Sequence, residues 1–155
     1  MNNLTQSITI HSAYGVGVEY SDGVVFKIDP TTQRYDETFK TVSVFSAIHD
    51  IENGRAKLLL NSLDKLTQEI DGKVGIVELA KIAFKEKPNW CLRDGQAFCS
   101  NYPQLSFYFK DGDFYADDGD LMRTVHHQLE LFNYLLEKGY NVFGLSSEFV
   151  KEKSI

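Results

Sequence analysis

The sequence of 155 residues predicts an α+β fold in which an antiparallel sheet built from β-hairpins has helices packed on one face. Three observations predict it. Aromatic and aliphatic residues alternate with polar ones on either side of Asp-Gly pairs, which is typical of hairpins. Apolar residues recur at helical spacing in a central block and near the end of the chain. Hairpins and helices grouped in this way favour α+β organisation over a parallel sheet.

The predicted elements occupy most of the chain. Hairpins are expected at 16–20/24–29, 90–93/96–99 and 105–110/113–117, a further strand at 141–145, and helices at 55–70, 75–86 and 121–138. The length fits one domain, and there is neither an internal repeat nor a linker, so residues 1–155 are expected to form a single domain.

The first predicted hairpin turns at a three-residue loop, Ser21-Asp22-Gly23. This loop pairs Val18 with Phe26 and keeps the apolar residues on one face, whereas a two-residue Asp-Gly loop would break the alternation. Asp29-Pro30 then ends the second strand, because proline lacks the N–H that a ladder requires.

The helices are predicted from apolar stripes with stop signals after them. Asp71-Gly72 ends the first helix, Pro88 follows the second, and Gly139 ends the last. The stripes comprise Leu59, Leu63, Leu66 and Ile70 in the first helix and Val125, Leu129, Phe132 and Leu136 in the last.

The clearest signal is the segment Leu105–Asp118, two aromatic runs joined by Asp111-Gly112. A two-residue Asp-Gly loop suits a type I′ turn, because both central residues adopt positive φ. Folding the segment there predicts one apolar face and one mixed face. The apolar face would hold Leu105, Phe107, Phe109, Phe114 and Ala116, and the mixed face Ser106, Tyr108, Lys110, Asp113, Tyr115 and Asp117.

Composition restricts the class of protein. The formal net charge of −6 argues against binding along a phosphate backbone, so nucleic acid is not expected as a partner. Two cysteines make no disulfide framework, which favours a reducing compartment and a cytoplasmic location. The first residues lack the basic and apolar regions of a signal peptide, and no apolar run approaches the ~20 residues of a membrane span, so no membrane partner is expected.

An aspartate-rich stretch permits a second interpretation. Asp117, Asp118 and Asp120, together with His126, offer oxygen and nitrogen ligands to a divalent cation, the one cofactor that the sequence suggests. The spacing does not match an EF-hand loop, since a loop that starts at Asp118 has Leu129 at the position of the bidentate glutamate. We favour a structural account, in which these aspartates precede a helix N-terminus and are stabilised by its backbone N–H groups.

Histidine and cysteine residues also favour structural roles. Adjacent helical residues point about 100° apart, so His126 and His127 cannot bind one ion together and are expected on a solvated helix face. His126 with Glu130 would be the usable pair of ligands. Cys91 and Cys99 match no familiar nucleophile or zinc spacing, and alternation in their hairpin places them on opposite faces, so at most one is buried.

Tyrosine provides the remaining candidate site. Tyr108 and Tyr115 pair on the mixed face of the hairpin, bordered by Asp113 and Asp117. Tyrosine is enriched at binding hot spots because its ring packs at low entropic cost and its hydroxyl tolerates water. Further tyrosines expected at the surface are Tyr14, Tyr35, Tyr102, Tyr134 and Tyr140.

Two functional hypotheses follow. The first is a non-enzymatic acidic binding or accessory protein, of the inhibitor, immunity or assembly-subunit type, which needs no cofactor and whose partner is another protein or a second copy of itself. Its binding surface would be Tyr108, Tyr115, Asp113 and Asp117. The alternative is a small divalent-metal-dependent enzyme or ligand-binding domain that uses Asp117, Asp118, Asp120 and His126.

Overall fold

A computed structural model describes residues 3–31 and 36–153, and it confirms the α+β class, with helices packed against sheets that contain antiparallel hairpins. The chain divides into two compact units, Met1–Ser62 with Leu135–Ile155, and Leu63–Tyr134. The single domain expected for residues 1–155 stays a prediction. In the described ranges, no helix combines the length and the apolar character needed to cross a membrane.

Helices and strands alternate irregularly along the chain. The helices are α1 Asn3–Ser12, α2 Val44–Glu52, α3 Gly75–Ala83 and α4 Gln128–Glu137, with a 3-10 helix at Leu63–Thr67. The strands are β1 Gly17–Tyr20, β2 Val25–Ile28, β3 Thr41–Val42, β4 Ala56–Leu60, β5 Glu69–Ile70, β6 Lys73–Val74, β7 Trp90–Arg93, β8 Gln96–Cys99, β9 Tyr102–Lys110, β10 Asp113–Asp117, β11 Met122–Arg123 and β12 Val150–Glu152.

The first unit contains a five-stranded sheet in the order β12-β4-β1-β2-β3. This sheet also contains the parallel pairs β12–β4 and β2–β3, whereas the five-stranded sheet of the second unit is antiparallel. The β1–β2 hairpin confirms the predicted three-residue loop, since Val18 pairs with Phe26 and the Gly23 N–H donates to the Tyr20 carbonyl over 2.9 Å. Gly23 has a φ of 85°, a conformation that favours glycine. Helix α1 packs against α2, and α2 packs against β4, so these helices and the sheet share one core.

Two predictions fail in this unit. The predicted helix 55–70 is wrong, because its first part forms β4, in which Ala56, Leu58 and Leu60 are buried and Lys57 is exposed. That alternation has the period of a strand, and Leu58 pairs with β1 on one side and with β12 on the other. The predicted strand 141–145 is also wrong. The Asn141 side chain bonds both the N–H and the carbonyl of Leu145, which closes a turn there.

The second unit contains a five-stranded sheet in the order β11-β10-β9-β8-β7. Both hairpins predicted in this region are confirmed, with Arg93 opposite Gln96 and Lys110 opposite Asp113 at their turns. Helix α3, predicted at 75–86, spans Gly75–Ala83 and packs against β7, β8 and β9. The core side of this unit holds Ile76, Leu79, Trp90, Ala97, Leu105, Phe107, Phe114 and Ala116.

The predicted helix 121–138 is wrong over its first part. Met122–Arg123 form β11, which pairs with β10, and α4 begins at Gln128. His127 has a φ of 61°, so the right-handed helix does not extend through it, and its carbonyl accepts the N–H of Leu131. The predicted apolar stripe is wrong in part as well. Leu129 is 75% exposed, whereas Leu131, Leu135 and Leu136 are buried, with Leu135 one turn beyond Leu131.

Candidate functional site

The candidate site is the side of the β9–β10 hairpin that carries Tyr108, Tyr115, Asp113 and Asp117, which we call the tyrosine face. The observed register pairs Tyr115 with Tyr108 and Asp117 with Ser106, as the sequence predicts. The two rings stack with centroids 5.5 Å apart and planes inclined by 20°. Both rings are half-buried, Asp113 is exposed and Asp117 is half-buried, so each side chain keeps surface open to solvent.

The opposite side of the hairpin supports this face. Phe107 stacks on Phe114 with ring centroids 5.8 Å apart, and both side chains are buried. Phe84 contacts Phe107 and Phe132 contacts Phe114, each in an edge-to-face arrangement. Aromatic pairs of this kind add to the stabilisation from burial. The hairpin is therefore fixed from its core side, and the tyrosine face is held as a defined surface.

The tyrosine face continues onto the neighbouring strand β8. Phe98 pairs with Ser106, and because side chains alternate along strands it lies on the same side of the sheet as Tyr108. The guanidinium carbon of Arg93 lies 4.0 Å from the centroid of the Phe98 ring, a cation–π contact. This side of the sheet therefore combines three aromatic rings with charges of both signs.

The aspartates of the metal hypothesis occupy a turn rather than a helix start. Asp117 accepts the N–H of Gly119 over 2.6 Å, and Asp118 accepts the N–H groups of Leu121 and Asp120 over 2.9 and 3.3 Å. This turn leads into β11, so the prediction that the aspartates precede a helix N-terminus is wrong.

The electrostatics of Asp118 follow from that turn. The N–H of Leu121, with further contributions from the Asp120 N–H and the Arg123 guanidinium, holds the pKa of Asp118 below its ordinary value. Asp120 and His126 are exposed. Within residues 3–31 and 36–153, no three His, Cys, Asp or Glu side chains are grouped so that they could hold a metal ion.

The two histidines before α4 are placed differently from the prediction. Neither lies on a helix face, because α4 begins at Gln128. His127, rather than His126, approaches Glu130, with Nδ1 and Oε1 3.4 Å apart. Glu130 also pairs with the Lys85 ammonium at 2.8 Å, and Lys85 is the largest cause of the lowered pKa of Glu130. The pair of His126 with Glu130, which the metal hypothesis would use, is therefore not the one that forms.

The cysteines and the remaining tyrosines differ in their exposure. Cys91 is exposed and Cys99 is buried, which confirms that at most one of them is buried. Tyr14 and Tyr102 are 36% and 40% exposed, and Tyr134 is half-buried. Tyr140 is buried, so its predicted exposure is wrong. Tyr35 lies outside the described residues.

His11 is a buried polar group that the sequence pattern did not single out. It lies near the end of α1, its side chain is fully buried, and neither ring nitrogen has a hydrogen-bond partner among the described residues. Its ring meets Phe143 edge to face, with centroids 5.6 Å apart. Leu4 and Ile8 precede it at helical spacing, which is the only local sign that this position faces a core.

The first unit also contains an open groove of about 600 Å³ lined by β1, β4 and β12. Its cationic side chains already have partners within the protein. Lys151 pairs with Glu19, the Arg55 Nε lies 3.2 Å from an Asp50 oxygen, and Lys57 donates to a backbone carbonyl. A ligand would compete with these contacts, so the groove is a weaker candidate than the tyrosine face.

Comparison with protein-family models, with curated proteins and with solved structures finds no match to this chain. The geometry of the described residues is therefore the sole basis for assigning a function.

Proposed function

We propose that this chain is a non-enzymatic, acidic binding or accessory protein, of the inhibitor, immunity or assembly-subunit type, which acts through contacts made by the tyrosine face. The observation that carries the proposal is the stacked pair of Tyr108 and Tyr115, half-buried on the side of the hairpin opposite its packed core. Two adjacent rings already ordered by cross-strand pairing lose little side-chain entropy when a partner covers them.

The surroundings of the pair support the same proposal. Asp113 and Asp117 lie on either side of Tyr115 along β10 and give the surface a polar border. An aromatic centre with a polar border is the usual arrangement of a protein–protein interface. The cytoplasmic location is part of the proposal and is supported by two free cysteines on opposite faces of one hairpin.

The test compares capture of partners from the source cell by three proteins. In Tyr108→Ala/Tyr115→Ala the affinity for the partner, or for self-association, is expected to fall tenfold or more. The reason is that truncating a hot-spot ring costs about 2 kcal/mol of binding free energy. Tyr102→Ala is the matched control, since Tyr102 is an exposed tyrosine of the same strand. Chromatography with light scattering reports the oligomeric state of each protein.

Thermal unfolding of the same three proteins shows whether the two rings form a binding surface or belong to the core. The proposal requires the double variant to remain folded while it loses the partner. Retention of the partner at wild-type affinity would contradict the proposal. If the double variant unfolds, the two rings are part of the core and the proposed surface does not exist.

A further inference from the structure

The tyrosine face has a negative border without cationic partners among the described residues. The segment Lys110–Arg123 contains five aspartates and only two cations, Lys110 and Arg123. Arg123 pairs with Asp118, whereas neither Asp113 nor Asp117 takes part in an ion pair within the described ranges. These two carboxylates therefore remain available to a cation from outside.

The spacing of these carboxylates suits a cation placed over the tyrosines. Along β10, Asp113, Tyr115 and Asp117 point to the same side, with neighbours in this series about 6.6–6.8 Å apart. A flat cation that stacks on the ring of Tyr115 would have a carboxylate near each of its edges. Tyr108 stacks on one face of the Tyr115 ring, so the cation would lie on the opposite face of that ring.

The same side of the sheet already contains a contact of this kind. The guanidinium of Arg93 lies over the ring of Phe98 with 4.0 Å between its central carbon and the ring centroid. A guanidinium is planar, stacks on aromatic rings and still donates N–H groups at its edges to carboxylates, whereas an ammonium acts as a compact point charge. An arginine of a partner matches this surface better than a lysine.

We infer that the partner of the tyrosine face is a basic protein segment that stacks an arginine on Tyr115, on the side away from Tyr108, with its guanidinium between Asp113 and Asp117. This inference rests on the proposed function and specifies the chemistry of the partner. It commits to another protein and not to a second copy of this chain.

The first test uses short peptides of equal length in which the same positions hold arginine, lysine or citrulline. The arginine peptide is expected to bind about two- to fivefold more tightly than the lysine peptide, the range of an exposed cation–π contact. Citrulline keeps the shape and removes the charge, so its peptide is expected not to bind. In NMR titrations, the ring signals of Tyr108 and Tyr115 are expected to shift in a saturable manner. Equal affinity for all three peptides, or shifts away from the tyrosine face, would overturn the inference.

The second test removes the negative border and keeps the rings. Asp113→Asn/Asp117→Asn is expected to lower the affinity for the arginine peptide by about three- to tenfold, since exposed ion pairs contribute modestly to binding. Glu69→Gln/Asp71→Asn is the matched control, because it also removes two negative charges, from the exposed hairpin of β5 and β6. Tyr108→Leu/Tyr115→Leu keeps apolar surface without the aromatic faces, and it is expected to abolish the preference for arginine over lysine.

Three outcomes separate this inference from the proposed function. Retention of the natural partner by the Tyr108→Ala/Tyr115→Ala variant contradicts both the proposed function and the arginine inference. Loss of the partner in that variant, with full retention in Asp113→Asn/Asp117→Asn, contradicts the arginine partner and leaves the binding surface in place. A wild-type dimer that the tyrosine variant dissociates identifies a second copy as the occupant and also overturns the inference.

Discussion

The fully buried His11 makes the stability of this protein depend on pH in a defined range. Burial lowers the pKa of His11 from 6.5 to about 4, because the charged imidazolium would lose its hydration and finds no partner among the described residues. In the unfolded chain the histidine binds a proton near its ordinary pKa. Between the two values the unfolded state therefore holds more protons than the folded state.

The direction and the size of the pH effect on stability follow from this difference in proton binding. The contribution of neutral His11 to stability is fully present above pH 6.5, falls as the pH decreases through that value, and is gone below pH 4. A change in pKa from 6.5 to about 4 corresponds to about 3 kcal/mol in the free energy of unfolding. That is a large share of the roughly 5–15 kcal/mol of a typical domain.

Urea unfolding of the wild type and of His11→Leu, in steps from pH 7 to pH 4, measures this contribution. Carboxylates titrate in both proteins, so the informative quantity is the difference between their free energies of unfolding. The wild type is expected to lose about 3 kcal/mol relative to the variant over this range. His126→Leu controls for the loss of an exposed imidazole. A difference that stays constant from pH 7 to pH 4 would refute the reasoning.

Three further predictions concern the fold. Gly112→Ala is expected to destabilise the protein by about 1 kcal/mol or more in urea unfolding, because this glycine has a φ of 85° in the hairpin turn; no change would contradict the turn geometry. Leu131→Ala is expected to cost about 2–5 kcal/mol and Leu129→Ala less than about 0.5 kcal/mol, which checks the observed buried side of α4. Cys91 is expected to react rapidly with a chromogenic disulfide reagent and Cys99 only on unfolding; equal rates would contradict their different exposure.

The hairpins could be predicted because their determinants are local. The Asp111-Gly112 turn fixes the register, and the two-residue period then decides which side chains share a face, so the pairing of Tyr108 with Tyr115 followed from the sequence. The helix predicted at 55–70 was wrong because the apolar residues of this segment fit both the 3.6-residue period of a helix and the two-residue period of a strand. Leu58 is paired with strands β1 and β12 that are distant in the sequence, and no local pattern reports that pairing.

Helix α1 and strand β11 were missed for a similar reason. Helix α1 contains β-branched residues such as Thr5 and Ile8, which have low helix propensity, and it is stabilised by packing against α2. Strand β11 has only two residues, too few for an alternating pattern. As to the candidate site, the position of the tyrosine pair was predictable, whereas the turn at Asp118 depends on the β10–β11 pairing that the sequence did not reveal.

The discontinuity of the first unit has a consequence for biosynthesis. Its sheet needs β12, which pairs in parallel with β4 although about ninety residues separate them. Residues 63–134 are all synthesised before β12. One edge of β4 therefore stays unpaired until β12 has been made and has emerged from the ribosome. A nascent chain paused before residue 150 would expose that edge to chaperones or to neighbouring chains.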